Sequence, residues 1–243
     1  MSEEKQLVGR QYQDLYKGYY SNADRTTAKR EISAVQSVNC IVEAIGGRTP
    51  GKLLDVGAGD GNVLVQLDAR GVSAELYAVE ISASGVDAIR SKSLPRLRDV
   101  RLFDGYKIPY PDKHFDLAIA VHVLEHVEHE RLFLREIRRV SRYAHIEVPL
   151  EHGLRIQRSI DNGKKYGHIN FYTKQTLRSL LSSSGMSVME CKIVPSSLTY
   201  EQYLSGRAKG WLKNLVRKSA LTLAPAVAPW LMVYNAYAYC ECD

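Results

Sequence analysis

The chain has 243 residues, 45% of them hydrophobic, and a formal charge of +6, enough for one well-buried α/β domain with a small appendage. A pI near 9 permits an anionic partner, but the basic residues are scattered and form no nucleic-acid motif, so nucleic acid is not the expected partner. The four cysteines, Cys40, Cys191, Cys240 and Cys242, lack metal-knuckle or disulfide-framework spacing, no stretch reaches the roughly 18 to 20 apolar residues of a membrane span, and the start Met-Ser-Glu-Glu-Lys leads into no signal-type apolar core. These features exclude transmembrane anchoring and lead us to expect a cytoplasmic protein in a reducing compartment.

Residues 1–48 are helical in pattern and carry Tyr12, Tyr16, Tyr19 and Tyr20, which suit a cap or lid. After Pro50 and Gly51, apolar runs alternate with helical patterns: strand 52–56, helix 61–69, strand 74–79, helix 84–91, strand 99–103, a loop rich in Pro and Tyr, strand 115–120, helix 129–140 and strand 143–148. This is the βαβ rhythm of a parallel sheet. The densest basic stretch, Arg131 to Arg142, reads as the solvated face of one of these helices. Thr173 reads as the N-cap of a helix over 174–184 that Gly185 ends, 186–194 alternates as a sixth strand, and 233–242 reads as a seventh. Residues 196–232 interrupt the last two strands with a basic helix and an apolar, twice proline-broken stretch. Residues 220–233 read as buried or substrate-facing helix.

The most informative segment is Leu53-Leu-Asp-Val-Gly-Ala-Gly-Asp-Gly61, a strand running into a glycine-rich turn, followed about twenty residues on by Glu80. Glycines let a ligand touch main chain, and the following helix aims free N–H groups at it. A dinucleotide fingerprint G-x-G-x-x-G needs a third Gly or Ala at 62, where Asn62 stands, and the acidic Asp60 repels phosphate. A cationic cofactor without phosphate fits better, and S-adenosylmethionine is one. Asp55 suits its ammonium, the N–H groups of Gly57, Ala58 and Gly59 its carboxylate, and Glu80, at the end of the second strand with Ile81 beside it, its ribose diol.

Three blocks in order carry a family resemblance. They are the glycine turn with Glu80; Phe103-Asp-Gly-Tyr-Lys-Ile-Pro-Tyr-Pro-Asp-Lys-His-Phe-Asp-Leu-Ala-Ile-Ala-Val-His-Val-Leu-Glu-His-Val127; and Gly167-His-Ile-Asn-Phe-Tyr-Thr173. Over residues 50–195 plus the last strand the chain resembles the class I, Rossmann-like S-adenosylmethionine-dependent methyltransferases. The resemblance implies an α/β, doubly wound, seven-stranded, mostly parallel sheet with an antiparallel last strand. It divides the chain into a helical N-terminal cap (1–48), a cofactor-binding core (49–195 and 233–243) and a helical insertion (196–232). It also implies that Asp104 accepts from the adenine amino group with the Gly105 N–H beside it, and that Ala120 and Val121 hold the amino-acid end of the cofactor. Asp116 reads as a structural carboxylate at the far end of its strand.

Methyl transfer from a sulfonium is an in-line displacement, so the protein has mainly to align an acceptor and remove its proton. Alignment alone is worth roughly 7 to 11 kcal/mol, and a base such as His adds about 100- to 10,000-fold. His122, Glu125 and His126 are spaced to share a helix face if the helix has begun by 122, which makes His126 and His122 the candidate catalytic residues, with His152 and His168 in later loops as further candidates. We assign no metal. A divalent ion at His122, Glu125, His126 and His168 is the sharper variant, by resemblance to small-RNA 2′-O-methyltransferases and ubiquinone-pathway O-methyltransferases. The expected function is methyl transfer to oxygen or nitrogen of a small-molecule acceptor, held between the N-terminal helices, the polar loop with Glu151, His152, Arg155, Arg158 and Asp161, and the insertion. The rivals are an RNA- or protein-directed methyltransferase, an NAD-binding oxidoreductase and a non-enzymatic ligand-binding module. Oligomeric state is open.

Overall fold

A computed structural model describes residues 25–154 and 156–243; the four N-terminal tyrosines and Arg155 lie outside them. Helix α1 (Arg25–Ile45) leads into β1 (Lys52–Val56), α2 (Asn62–Ala69), β2 (Glu75–Glu80), α3 (Ala83–Ser91), β3 (Leu97–Leu102) and β4 (Phe115–Val121). A single 3₁₀ turn (Leu124–His126) precedes α4 (Glu130–Val140), β5 (Ser141–Leu150), α5 (Ile156–Tyr166), α6 (Lys174–Ser183) and β6 (Ser187–Val194). Then come α7 (Leu198–Ser205), α8 (Arg207–Leu223), the short α9 (Ala228–Leu231) and β7 (Tyr234–Glu241).

The strands form one seven-stranded sheet in the order β3-β2-β1-β4-β5-β7-β6. Strands β1 to β5 pair in parallel, and β7 runs antiparallel to both β5 and β6. Successive residues of β1 face opposite sides. Leu54 and Val56 join a cluster with Phe133, Ile137 and Leu177 from α4 and α6, while Leu53 joins a cluster with Val38, Ile41, Leu64 and Ile89 from α1, α2 and α3. Burial on both faces explains why β1 and β4 read as continuous apolar runs rather than alternating ones. The doubly wound reading holds. The order reverses between β1 and β4, and the carboxyl ends of these strands open the crevice in which ligands of such sheets bind.

Local chemistry sets the helix ends. Ser82 Oγ accepts the N–H of Gly85 to start α3, and Thr173 and Thr176 close a reciprocal capping box on α6. Gly185, at φ +85°, follows the last turn of α6, as expected.

Three expectations change. The stretch after β5, expected to be a polar loop, contains helix α5, which carries Arg158 and Asp161. Arg131 and Arg135 are exposed as the face of α4, but Arg139 turns inward. It donates to the carbonyls of Ile108 and Tyr110 and pairs with Glu136 and Asp112, clamping the Pro- and Tyr-rich loop onto α4. Residues 220–232 do not form one buried or cavity-facing helix, and Val233, just before β7, borders the cavity at the carboxyl ends of the strands. Pro225 and Pro229 lack N–H donors and divide the stretch into the end of α8, a bend and α9, and Leu223, Val227 and Trp230 are exposed, with Ala228 the buried residue among them.

Candidate active site

A cavity of about 700 Å³ lies over the carboxyl ends of β1, β2 and β4. Its floor is Gly57 to Asp60, Glu80 and Ile81, its sides include Phe103 to Tyr106 and Val121 to Val123, and α1, α7, α8 and the start of β7 complete the wall. Of the three segments expected to flank the acceptor, α1 lines the cavity through Lys29, Arg30 and Ser33, the stretch after β5 through Glu151, and the insertion through Tyr200, Glu201, Leu204, Lys213 and Arg217.

Gly57 sits at φ +77°, and a Cβ there would stand 2.8 Å from Cγ2 of Val123. The position is closed to other residues by both backbone conformation and space. Glu80 is buried. Its Oε2 accepts the N–H of Gly59 at 2.8 Å and its Oε1 that of Ser82 at 3.0 Å, so the carboxylate is locked in place on the cavity wall. Burial raises its pKa more than the N–H bonds from Gly59, Ser82 and Ile81 pull it down. A carboxylate oxygen has two lone pairs, so each retains capacity for one hydroxyl. Asp104 and Gly105 line the cavity, and Asp104 Oδ1 also accepts the N–H groups of Tyr106 and Lys107, so it is both turn-former and wall residue.

Asp55 and Ala120 lie elsewhere. Both are buried, and neither lines the cavity. Burial, then Glu80, pushes the Asp55 carboxyl up to about 8, and its Oδ2 has no hydrogen-bond partner. A carboxyl that is neutral near pH 7 behind the glycine turn is a poor mate for an ammonium. Asp60 is not a bare negative charge either, because Arg30 of α1 pairs with it at 2.7 Å. The case against a bound phosphate therefore rests on the displaced third glycine, with Gly61 in the left-handed region at φ 78° as the N-cap of α2. Asp116 accepts from the N–H of Lys52 at the opposite sheet edge, the structural role expected of it.

The helix does not begin by 122. His122 has φ +55°, and the first helical turn is the 3₁₀ turn at Leu124–His126. The three side chains still meet the cavity, in two groups. His122 Nδ1 lies 3.2 Å from Glu125 Oε1 and its Nε2 3.5 Å from Glu147 Oε1. Burial lowers the His122 pKa, but the two buried carboxylates outweigh it and raise the pKa to about 10. Burial likewise raises the Glu147 pKa, yet His122 and His145 bring it down to about 2. His126 turns to the other side. Its Nδ1 is 3.0 Å from the carbonyl of Gly167, its ring meets that of His168 edge to face at 4.9 Å, and burial, together with nearby His168 and His122, lowers its pKa.

The third sequence block straps this turn. The N–H groups of Ile169 and Asn170 donate to Glu125 O, and Asn170 Nδ2 donates to the carbonyls of Leu124 and Val127. His168 Nδ1 lies 2.7 Å from Glu151 Oε2, and the connection between α5 and α6 delivers His168 to the cavity. Ligand-capable atoms of Glu125, His126 and His168 all lie within 4.8 Å of one another, and carbonyl and carboxylate partners on the two Nδ1 atoms are the usual outer shell of metal-binding imidazoles. His152 lines a separate depression with Glu130 and Ile156.

Sequence reasoning missed Glu147, Glu201 and Arg217. A carboxylate inside the twice-buried run of β5 was a legible signal for Glu147, since charges there need partners. Glu201 is the one acidic residue of the basic insertion; it is buried and pairs with Arg217 at 3.1 Å. Nothing in the sequence gives that pairing.

A family model described as a methyltransferase domain matches residues 34–190. Ajmaline N-methyltransferase of Rauvolfia serpentina is 28% identical over 150 residues, 57% of this chain and 50% of that protein. The ubiquinone/menaquinone biosynthesis C-methyltransferase UbiE of Burkholderia mallei (strain SAVP1) is 31% identical over 98 residues, 39% of this chain and 40% of that protein. The chain thus spans half or less of the length of these curated relatives. Geranyl diphosphate C-methyltransferase from Streptomyces coelicolor A3(2), solved with Mg²⁺, geranyl diphosphate and S-adenosyl-L-homocysteine, shares the fold with a TM-score of 0.63 at 12% identity, over 86% of this chain and 79% of that one. The family match runs from α1 into β6 and so takes in the glycine turn, Glu80 and the straps around His126: the chain belongs to the class I, Rossmann-like S-adenosylmethionine-dependent methyltransferases.

Proposed function

We propose that the protein transfers a methyl group from S-adenosylmethionine to an oxygen or nitrogen of a small-molecule acceptor, with His126 as the base. The observation that carries this reading is one cavity holding both the glycine cradle with Glu80 and a histidine kept neutral by burial. The residues fit the cofactor. Main chain at Gly57 to Gly59 is open to contact, Glu80 presents a fixed carboxylate to a diol, and Asp104 and Gly105 offer an acceptor and a donor on the opposite side. S-adenosylmethionine bound there supplies an electrophilic methyl group on a sulfonium. His126 accepts the acceptor's proton, with its ring held by Gly167 and its position fixed by the Asn170 strap. His122, protonated between Glu125 and Glu147, acts as a positioning residue rather than a base, because a group with its pKa near 10 gives up no site for a proton at neutral pH. Residues 25–48 and the insertion form the acceptor side, which is the division into cap, core and insertion that we favour.

A panel of hydroxyl- and amine-bearing acceptors with labelled methyl donor tests the reading. The expected product carries label on O or N, and the His126→Ala chain forms it about 100- to 10,000-fold more slowly. Label found exclusively on carbon overturns the acceptor assignment, and the two C-methyltransferases among the similar proteins make that a serious alternative.

The approach of Glu125, His126 and His168 favours a second reading, in which these residues hold a divalent ion that supplies Lewis-acid activation of an acceptor oxygen. Two imidazoles and one carboxylate suit a transition metal better than Mg²⁺. Metal analysis of protein purified without chelator or affinity-tag metal decides between the readings: stoichiometric metal lost in His168→Ala supports the second, and no metal removes it.

A further inference from the structure

We propose that α8 and α9 dock the protein on an anionic phospholipid bilayer, lying in its interface plane. The observation is a helix with its apolar side facing away from the protein. Ordinary surface helices bury the apolar stripe and expose the charged one. In α8 the residues turned toward the body are Gly210 and Asn214, both buried. A Cβ on Gly210 would stand 2.4 Å from Cα of Gln202, so α8 rests directly on the backbone of α7, and Asn214 Nδ2 donates to Ser196 O at 2.7 Å. The outer side carries Trp211, Leu212, Leu215, Val216 and Leu223, each at least 46% exposed. At about 100° per residue these five occupy an arc of roughly 140°.

Basic residues edge that arc on both sides, Lys209 and Lys213 along one margin, Arg207 and Lys218 along the other. The single acidic residue of the insertion, Glu201, is buried and paired with Arg217. Just beyond α8, Trp230 and Leu231 of α9 are also exposed, and Leu154, whose N–H donates to Trp230 O, adds a side chain 73% exposed. An apolar arc with tryptophan, bounded by lysine and arginine and free of exposed acid, is the pattern that enters the headgroup region of anionic membranes. No helix among the described residues is long and apolar enough to cross a membrane, so the contact is peripheral.

Charge selects this occupant over a second copy of the chain. A two-fold contact through the patch would set each basic margin against its own copy, whereas anionic headgroups complement both margins. The same helix gives Lys213 and Arg217 to the cavity wall, so docking places the cavity mouth at the bilayer surface. The inference does not depend on which atom is methylated.

Co-sedimentation of the full chain with vesicles of phosphatidylcholine alone and of phosphatidylcholine with phosphatidylglycerol at 3:1 tests it, with binding of S-adenosylhomocysteine as the check on folding. The expected result is binding to the anionic vesicles, weakened at 0.5 M salt (roughly, by screening), and little to the neutral ones. Lys209→Gln/Lys218→Gln, outside the cavity, lowers the partition about 25-fold, near fivefold per basic residue, and Trp211→Glu abolishes it. No vesicle binding by folded protein overturns the proposal. Equal binding to both vesicle types overturns the role of the basic margins. A dimer in sedimentation velocity that Trp211→Glu dissociates, without vesicle binding, reassigns the patch to a contact between copies and also overturns it.

Discussion

Glu80→Gln separates two jobs that the carboxylate holds at once. In the structure its two oxygens each accept a backbone N–H, from Gly59 at 2.8 Å and Ser82 at 3.0 Å. A carboxamide has one acceptor oxygen, so one buried N–H loses its partner and faces an NH₂ group; such an orphan costs about 1 to 3 kcal/mol. For a chain of this size that lowers Tm by about 2 to 12 °C, at roughly 2 to 4 °C per kcal/mol. The second job, on the proposed reading of the site, is to hold the ribose diol. Hydrogen bonds to a charged group contribute about 1.5 to 3 kcal/mol each. Losing one and neutralising the other removes about 2 to 3 kcal/mol, a weakening of S-adenosylmethionine and S-adenosylhomocysteine by roughly 30- to 140-fold. Titration calorimetry beside thermal unfolding reads both effects on one protein sample. If Tm falls as expected and Kd moves less than threefold, Glu80 braces the glycine turn without touching the cofactor, and the assignment of the ribose to it is wrong.

His126, with a pKa below the ordinary 6.5, gives a methylation rate that rises with pH through a value under 6.5 and is then level to pH 8; a rate still climbing above pH 8 points to another base. His122 has the opposite pH signature. Its folded pKa of about 10 lies above its unfolded value, so its stabilisation is complete below pH 6.5 and is lost as pH rises toward 10. Thermal unfolding across that range should show a fall in the parent chain that His122→Gln lacks, and parallel curves would contradict the buried ion pairs with Glu125 and Glu147. Gly57→Ala combines a left-handed backbone, about 1 to 2 kcal/mol for a residue with a Cβ, with the 2.8 Å approach to Val123. It should weaken cofactor binding at least tenfold (about 1.4 kcal/mol), and Val123→Ala should restore part of the loss, which calorimetry would detect.

The sheet was legible because parallel strands buried on both faces must be apolar and short, and because the segments between them carry helix periodicity. The glycine turn and Glu80 were legible for a related reason, since close ligand approach and a strand-end carboxylate are local properties. Legibility fell where chain neighbours stopped mattering. Spacing put His122, Glu125 and His126 on one helix, but the left-handed conformation at His122 splits them into an imidazole held by Glu125 and Glu147 and a second one, His126, packed against His168.

By itself the sequence determined the order of the strands, most of the helices between them and the cofactor class, because each follows from local periodicity, capping or a contiguous motif. Tertiary structure alone decided which charges are real at the site. Asp60 is neutralised by Arg30, Asp55 is turned into a neutral buried acid by its surroundings, and Arg217 is paired with Glu201. It also decided that most of residues 220–232 face outward. The physical reason is common to all four. Protonation and exposure depend on what packs within a few ångströms of a group, and those neighbours come from distant parts of the chain.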